Sequence, residues 1–93
     1  MESNQDLVGK VVVVTGAGRG IGKQIAIGAG QRGASVALVE VIPENLEAAT
    51  KEIEAMGIKV KGYLTDLSIE SDVVNNFKQI EKDFGQIDCL VNN

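Results

Sequence analysis

The stretch Val11-Val12-Val13-Val14-Thr15-Gly16-Ala17-Gly18-Arg19-Gly20-Ile21-Gly22 decides the fold. Four valines in a row, with no polar alternation, suit a strand buried on both faces, as in a parallel sheet. A glycine-rich turn follows at once. Residues 21–32 then read as a helix, with Ile21, Ile25 and Ala29 on one face and Gly33 where a helix-ending glycine belongs. Such a turn presents the unpaired N–H groups and partial positive charge of a helix start, with no Cβ in the way. A diphosphate suits both. The bland alternative is a tight strand-to-helix turn with no ligand.

Spacing separates the loop types. A Walker A loop needs glycine at position 17 and Ser or Thr after Lys23, where this chain has Ala17 and Gln24. The GxGxxG form needs a small residue at 21 or 23, and these are Ile21 and Lys23. What remains is TGxxxGxG, built on Gly16, Gly20 and Gly22.

Beyond the loop, short β-rich runs alternate with amphipathic helical windows. Ser35 to Glu40 is a second strand. Pro43 opens a helix whose apolar stripe is Leu46, Ala49, Ile53 and Met56, stopped by Gly57. Residues 59–64 form a third, more polar strand suited to a sheet edge. Ser68 is placed to cap a last helix, with Glu70 and Asp72 in its first turn and Val73, Phe77, Ile80 and Phe84 as its stripe. Gly85 ends it, and residues 87–91 make a fourth strand. Helical connections between strands imply parallel neighbours and right-handed crossovers. The expected fold is an α/β, Rossmann-like doubly wound parallel sheet of four strands in order 3-2-1-4, over residues 7–93, after a flexible N-terminal tail at 1–6.

Composition narrows the function. The 93 residues carry 9 Lys+Arg, 13 Asp+Glu, one Cys and no His. A net charge of −4 with scattered cations argues against nucleic acid. Without His no Ser-His-Asp site can be built, and one Cys offers neither a disulfide nor a metal cluster. No apolar run approaches a membrane span. The polar, acidic first residues do not resemble a secretory signal, so the expected compartment is cytoplasmic, with Cys89 reduced. Cys89 itself reads as a small core residue. Glu40 closes the second strand, near the spacing of about 20 residues at which an acid can accept hydrogen bonds from an adenosine ribose. A solvated acid at a strand end is the alternative.

Together these residues resemble the short-chain dehydrogenase/reductase family. Thr15-Gly16-x-x-x-Gly20-Ile21-Gly22 is similar to its cofactor loop, and Glu40 to its cofactor-selecting acid. Asp66-Leu67 is similar to its adenine-contacting pair, and Val91-Asn92-Asn93 to the start of its Asn-Asn-Ala-Gly motif. The resemblance implies a nicotinamide dinucleotide bound by Gly16, Gly18, Arg19, Gly20, Ile21, Gly22, Glu40, Asp66, Leu67 and Asn92. Asp66 would take the adenine amino group and the Leu67 N–H the ring. Asn92 would brace the sheet, its main chain touching a ribose, and Thr15 would tie the first strand to the fourth. Asp66 could instead make an Asx turn with Ser68, and Asn92 be a polar chain end.

NAD is the preferred cofactor and NADP the possible one, because Glu40 would repel a 2′-phosphate and no cation follows it, although Arg19 pulls the other way. The family's full-length members transfer hydride between the cofactor and a carbonyl or secondary alcohol, and are expected to be homo-oligomers. Their Ser and Tyr-x-x-x-Lys have no counterpart here: Tyr63, the one tyrosine, is followed at the Lys position by Leu67. No catalytic residue is therefore assigned, and the chain reads as truncated after its fourth strand and inactive alone. The competing expectation is a non-catalytic dinucleotide- or partner-binding fragment.

Overall fold

The structure is a computed structural model that describes residues 5–93. Its order is β1 (Val11–Thr15), α1 (Gly20–Gln31), β2 (Ser35–Glu40), α2 (Pro43–Ala55), β3 (Val60–Leu64), α3 (Glu70–Phe84) and β4 (Cys89–Val91). The strands form one parallel sheet in the order β3-β2-β1-β4, as expected. No helix among the described residues is long and apolar enough to cross a membrane. Of the tail expected at 1–6, the first four residues lie outside the described ones. Gln5 donates to Gln31 C=O (2.9 Å), and Asp6 pairs with Arg32 at the end of α1.

The valine run explains the layering. Every residue of β1 is buried, and alternate valines serve opposite faces. Val12 and Val14 join Val36 and Leu38 of β2 under α1 and α2, where Ala26, Ile27, Ala49 and Ile53 complete one core. Val13 joins Ala37, Val39 and Tyr63 on the other face, under Ile80 of α3. With apolar layers on both sides, β1 and β2 have no solvent face, hence no polar alternation.

The helix ends follow local chemistry. Gly33, Gly57 and Gly85 all take positive φ beyond their helices (101°, 81° and 85°). After α1 the Gly33 N–H reaches Gly30 C=O and the Ala34 N–H reaches Ala29 C=O, the paired bonds of a Schellman end.

Four expectations fail here. Ile21 is 73% exposed and Ile25 36%; the buried face of α1 is instead Gly22, Ala26 and Ile27. The small residues let the helix settle against the sheet: a Cβ at Gly30 would lie 2.5 Å from Ile58 Cγ2. Met56 is exposed at the end of α2. Ser68 does not cap α3, whose N-cap is Ile69 with no side-chain bond, because the Ser68 hydroxyl is spent on Asp66. Cys89 is exposed, because among the described residues β4 pairs only with β1 and faces an open apolar hollow of about 390 Å³ beside Val12, Ile25 and Ala29. Asp88, just ahead of β4, accepts the Val11 N–H (2.8 Å); this contact first, then Gln86, holds its carboxyl below the usual carboxylate range.

Candidate functional site

All the elements that matter meet at the carboxyl ends of β1, β2 and β3. Thr15 ends β1, Gly16 turns the chain with φ +62°, and Gly20 turns it again with φ +62° into α1. The N-cap residue of α1, Arg19, supplies no side-chain bond, and the first turn holds no acid. The other two helices differ: Glu44 lies in the first turn of α2, and Glu70 and Asp72 in that of α3. The first N–H groups of a helix have no partner within it. Among the described residues, α1 is thus the one helix with no acid in its own first turn, and it starts at the glycine loop. A Cβ at Gly20 would meet nothing, so the space over this end is open. At Gly22 a Cβ would collide with Gly16 C=O and lie 2.7 Å from Asn93 Nδ2, which is why the helix can start so close to the strand.

The loop is fastened on two sides. Toward β2, the Ala17 N–H reaches Val39 C=O (3.2 Å) and the Gly18 N–H reaches Glu40 Oε1 (2.8 Å). Toward β4, the buried Thr15 hydroxyl accepts the Asn93 N–H (3.1 Å) and donates to Asn92 Oδ1 (3.1 Å), with Val91 C=O also in reach at 3.4 Å. Asn93 Nδ2 donates to Gly16 C=O (3.3 Å). Thr15 and Asn92 thus join β1 to β4 as expected. The contribution of Asn93 was not singled out from the sequence, where two adjacent asparagines cannot be told apart.

Glu40 is not a solvated acid. It is 8% exposed, and its second oxygen accepts the N–H groups of Val41 (3.0 Å) and Ile42 (3.2 Å). Beside it a hollow of about 220 Å³ opens between Gly16, Glu40, Val41, Thr65, Asp66 and Leu67. Asp66 accepts the Ser68 hydroxyl (2.6 Å) and the Ser68 N–H (3.0 Å), and these contacts hold its carboxyl below the usual carboxylate range. The Asx turn is therefore real. It fixes Asp66 Oδ1 and leaves acceptor positions on Oδ2, so the turn and a ligand contact do not compete. The Asp66 N–H is itself held by Asp72 Oδ2 (3.2 Å). Leu67 is exposed at the rim of the hollow, and Arg19 is exposed at the start of α1.

Among the described residues no group of His, Cys, Asp or Glu could hold a metal. An acid-free helix start, a glycine loop without side chains and a flanking hollow with one acid on each side fit an elongated anionic ligand with a polar sugar. The profile of the family described as short chain dehydrogenase matches residues 10–93. The chain belongs to the short-chain dehydrogenase family.

Other members show how much of the family is present. A 2-dehydro-3-deoxy-D-gluconate 5-dehydrogenase of Pseudoalteromonas atlantica is 40% identical over 88 residues, 94% of this chain and 35% of the relative. The structure of an NAD+-bound xylitol dehydrogenase superposes with a TM-score of 0.89 at 34% identity, covering 91% of this chain and 33% of that one. A metagenomic short-chain oxidoreductase in complex with NADP gives 0.88 at 40% identity, covering 94% and 39%. This short-chain dehydrogenase chain thus spans about a third of the length of its curated relatives.

Proposed function

We propose that this chain is the cofactor-binding portion of a nicotinamide-dependent oxidoreductase whose whole form moves hydride between NAD and a carbonyl or secondary alcohol. The observation that carries it is the start of α1, without an acid and opening through the Gly16–Gly22 loop onto the hollow between Glu40 and Asp66. When bound, the cofactor supplies the hydride chemistry, and the protein supplies grip and orientation. The N–H groups of Gly20, Ile21 and Gly22 would receive the diphosphate. Gly16 and Gly18 keep the approach clear, and Glu40 would accept from the adenosine ribose. Asp66 would accept from the adenine amino group and the Leu67 N–H would donate to the ring. Asn92 would support the second ribose through its main chain. The expected setting is cytoplasmic, where the free Cys89 would stay reduced.

NAD is the cofactor of choice. A 2′-phosphate beside the Glu40 carboxylate meets like charge at a cost of about 1 kcal/mol or more, against the help of an exposed and solvent-screened Arg19. Calorimetric titration of the full chain with both dinucleotides tests this. The expected result is tighter binding of NAD. Tighter NADP binding overturns the preference, and failure to bind either dinucleotide overturns the function.

A further inference from the structure

Resting on the dinucleotide reading above, we propose that Glu40 is a positioning residue for the diphosphate: its carboxylate clamps the glycine loop through Gly18, in addition to any contact with the ribose. Glu40 is the only side chain in the described hydrogen-bond network that reaches from the β2 end to a loop N–H. Its two oxygens accept three backbone N–H groups, Gly18 on Oε1 and Val41 and Ile42 on Oε2. A carboxylate has about four acceptor positions. Oε2 is thus filled from its own strand end, which fixes the orientation of the group. Oε1 takes the loop and keeps one position for a sugar hydroxyl.

The clamp bears on the phosphate site because Gly18 lies two residues before the first helical N–H. Gly20 and Gly16 both adopt positive φ, so the loop bends on both sides of Gly18. The adjacent backbone tie, Ala17 N–H to Val39 C=O, fixes the loop at one point only. Gly18 is shaped for the contact: a Cβ there would intrude on Glu40 Oε1 and lie 2.7 Å from Asn45 Cβ. Glycine at this position therefore serves the acid as much as the ligand.

Two variants attack the bond from opposite ends. Glu40→Gln keeps the shape but gives one arm donor hydrogens, so it cannot accept from Gly18 and from Val41 and Ile42 together. Gly18→Ala leaves Glu40 intact and displaces its oxygen. In the full chain, amide hydrogen exchange at position 18 is measured without ligand, and ADP and 2′,3′-dideoxy-ADP are titrated by calorimetry. Both nucleotides carry the diphosphate, and only ADP carries the hydroxyls. The expected result is Gly18 exchange at least tenfold faster in Glu40→Gln. Dideoxy-ADP should bind at least fivefold more weakly in both variants, with circular dichroism unchanged. A loss confined to ADP, with dideoxy-ADP within twofold and Gly18 exchange unaltered, overturns the clamp and leaves a ribose contact alone. If the wild-type chain binds neither nucleotide, it is the dinucleotide reading that has failed. The diphosphate role of Glu40 falls with it, and Gly18 exchange then reports on the Glu40–Gly18 bond alone: unchanged exchange in Glu40→Gln overturns that as well.

Discussion

Two glycines of α1, Gly28 and Gly30, provide a matched test of how this helix meets the sheet. Each replaces a better helix former, and changing either to Ala recovers about 1 kcal/mol of helix propensity. Their surroundings differ. A Cβ at Gly28 meets nothing within 4 Å, whereas at Gly30 it lies 2.5, 2.7 and 3.0 Å from Cγ2, Cδ1 and Cγ1 of Ile58. Ile58 is 9% exposed, and its branched Cβ makes Cγ2 slow to yield, since only a χ1 change or a helix shift moves it. Overpacking of this kind costs about 1–3 kcal/mol. Gly28→Ala should therefore stabilise by about 1 kcal/mol. Gly30→Ala should come out between neutral and about 2 kcal/mol destabilised, once the same propensity gain is subtracted. Urea unfolding of the two variants reads the difference, and thermal midpoints should separate by about 4–8 °C per kcal/mol. Adding Ile58→Ala removes the clashing atoms, so a double-mutant cycle should show Gly30→Ala and Ile58→Ala strongly coupled. Equal midpoints for the two alanine variants, or a coupling near zero, would refute this account of why α1 is built from small residues.

Other expectations concern pH and the ligand. Tyr63 is buried and donates to Asp83 Oδ2 (2.7 Å); burial first, then this bond, raises its phenol well above the usual range. The stabilisation is intact below the unfolded value of about 10 and is lost as pH climbs toward the folded value. Absorbance should show no phenolate near pH 10.5 until the chain unfolds, and Tyr63→Phe should flatten the alkaline loss of stability. Asp83 moves the opposite way: Lys61 (2.7 Å), then Tyr63 and Gln79, bring its carboxyl down to about 2. Its contribution is present above about pH 4 and fades as pH falls toward that value, so Asp83→Asn should remove part of the acid limb of a stability-against-pH curve. At the ligand site, Arg19→Ala should weaken NADP severalfold by calorimetry and leave NAD within twofold; equal losses would remove Arg19 from any 2′-phosphate contact.

The sequence announced most of the architecture because its strongest signals were local. A valine run, a glycine turn and three helix-ending glycines depend on backbone chemistry near each residue, and all appear where expected. Parallel pairing follows from the helices between strands, so the 3-2-1-4 order was legible too. The failures come from competition and from tertiary packing. Ile21 and Ile25 look like a buried stripe by spacing, but burial is set by which face approaches the sheet, and Gly22 and Ala26 approach more closely. Ser68 looks like a cap until Asp66, two residues earlier, competes for its hydroxyl. Cys89 lies on a mostly apolar stretch in sequence, yet among the described residues its strand has one partner. At the site, Glu40 was legible as an acid at a strand end. Its hold on Gly18 was not, because a contact across a loop leaves no periodic trace.

One consequence of the valine run concerns phase. Strands ordinarily find their alignment because a one-residue slip turns polar groups inward. Val11 to Val14 repeat one residue with both faces covered, so a slip of β1 along β4 would swap valine for valine and leave burial almost unchanged. Against β4 the strand carries a side-chain pin at each end: Asp88 on the Val11 N–H, and Thr15 on Asn92 and Asn93. A chain carrying Asp88→Ala and Thr15→Val together would keep its oily interior and lose the side-chain marks of that alignment, leaving the β2 ladder and the Asp88 N–H on Val11 C=O to hold it.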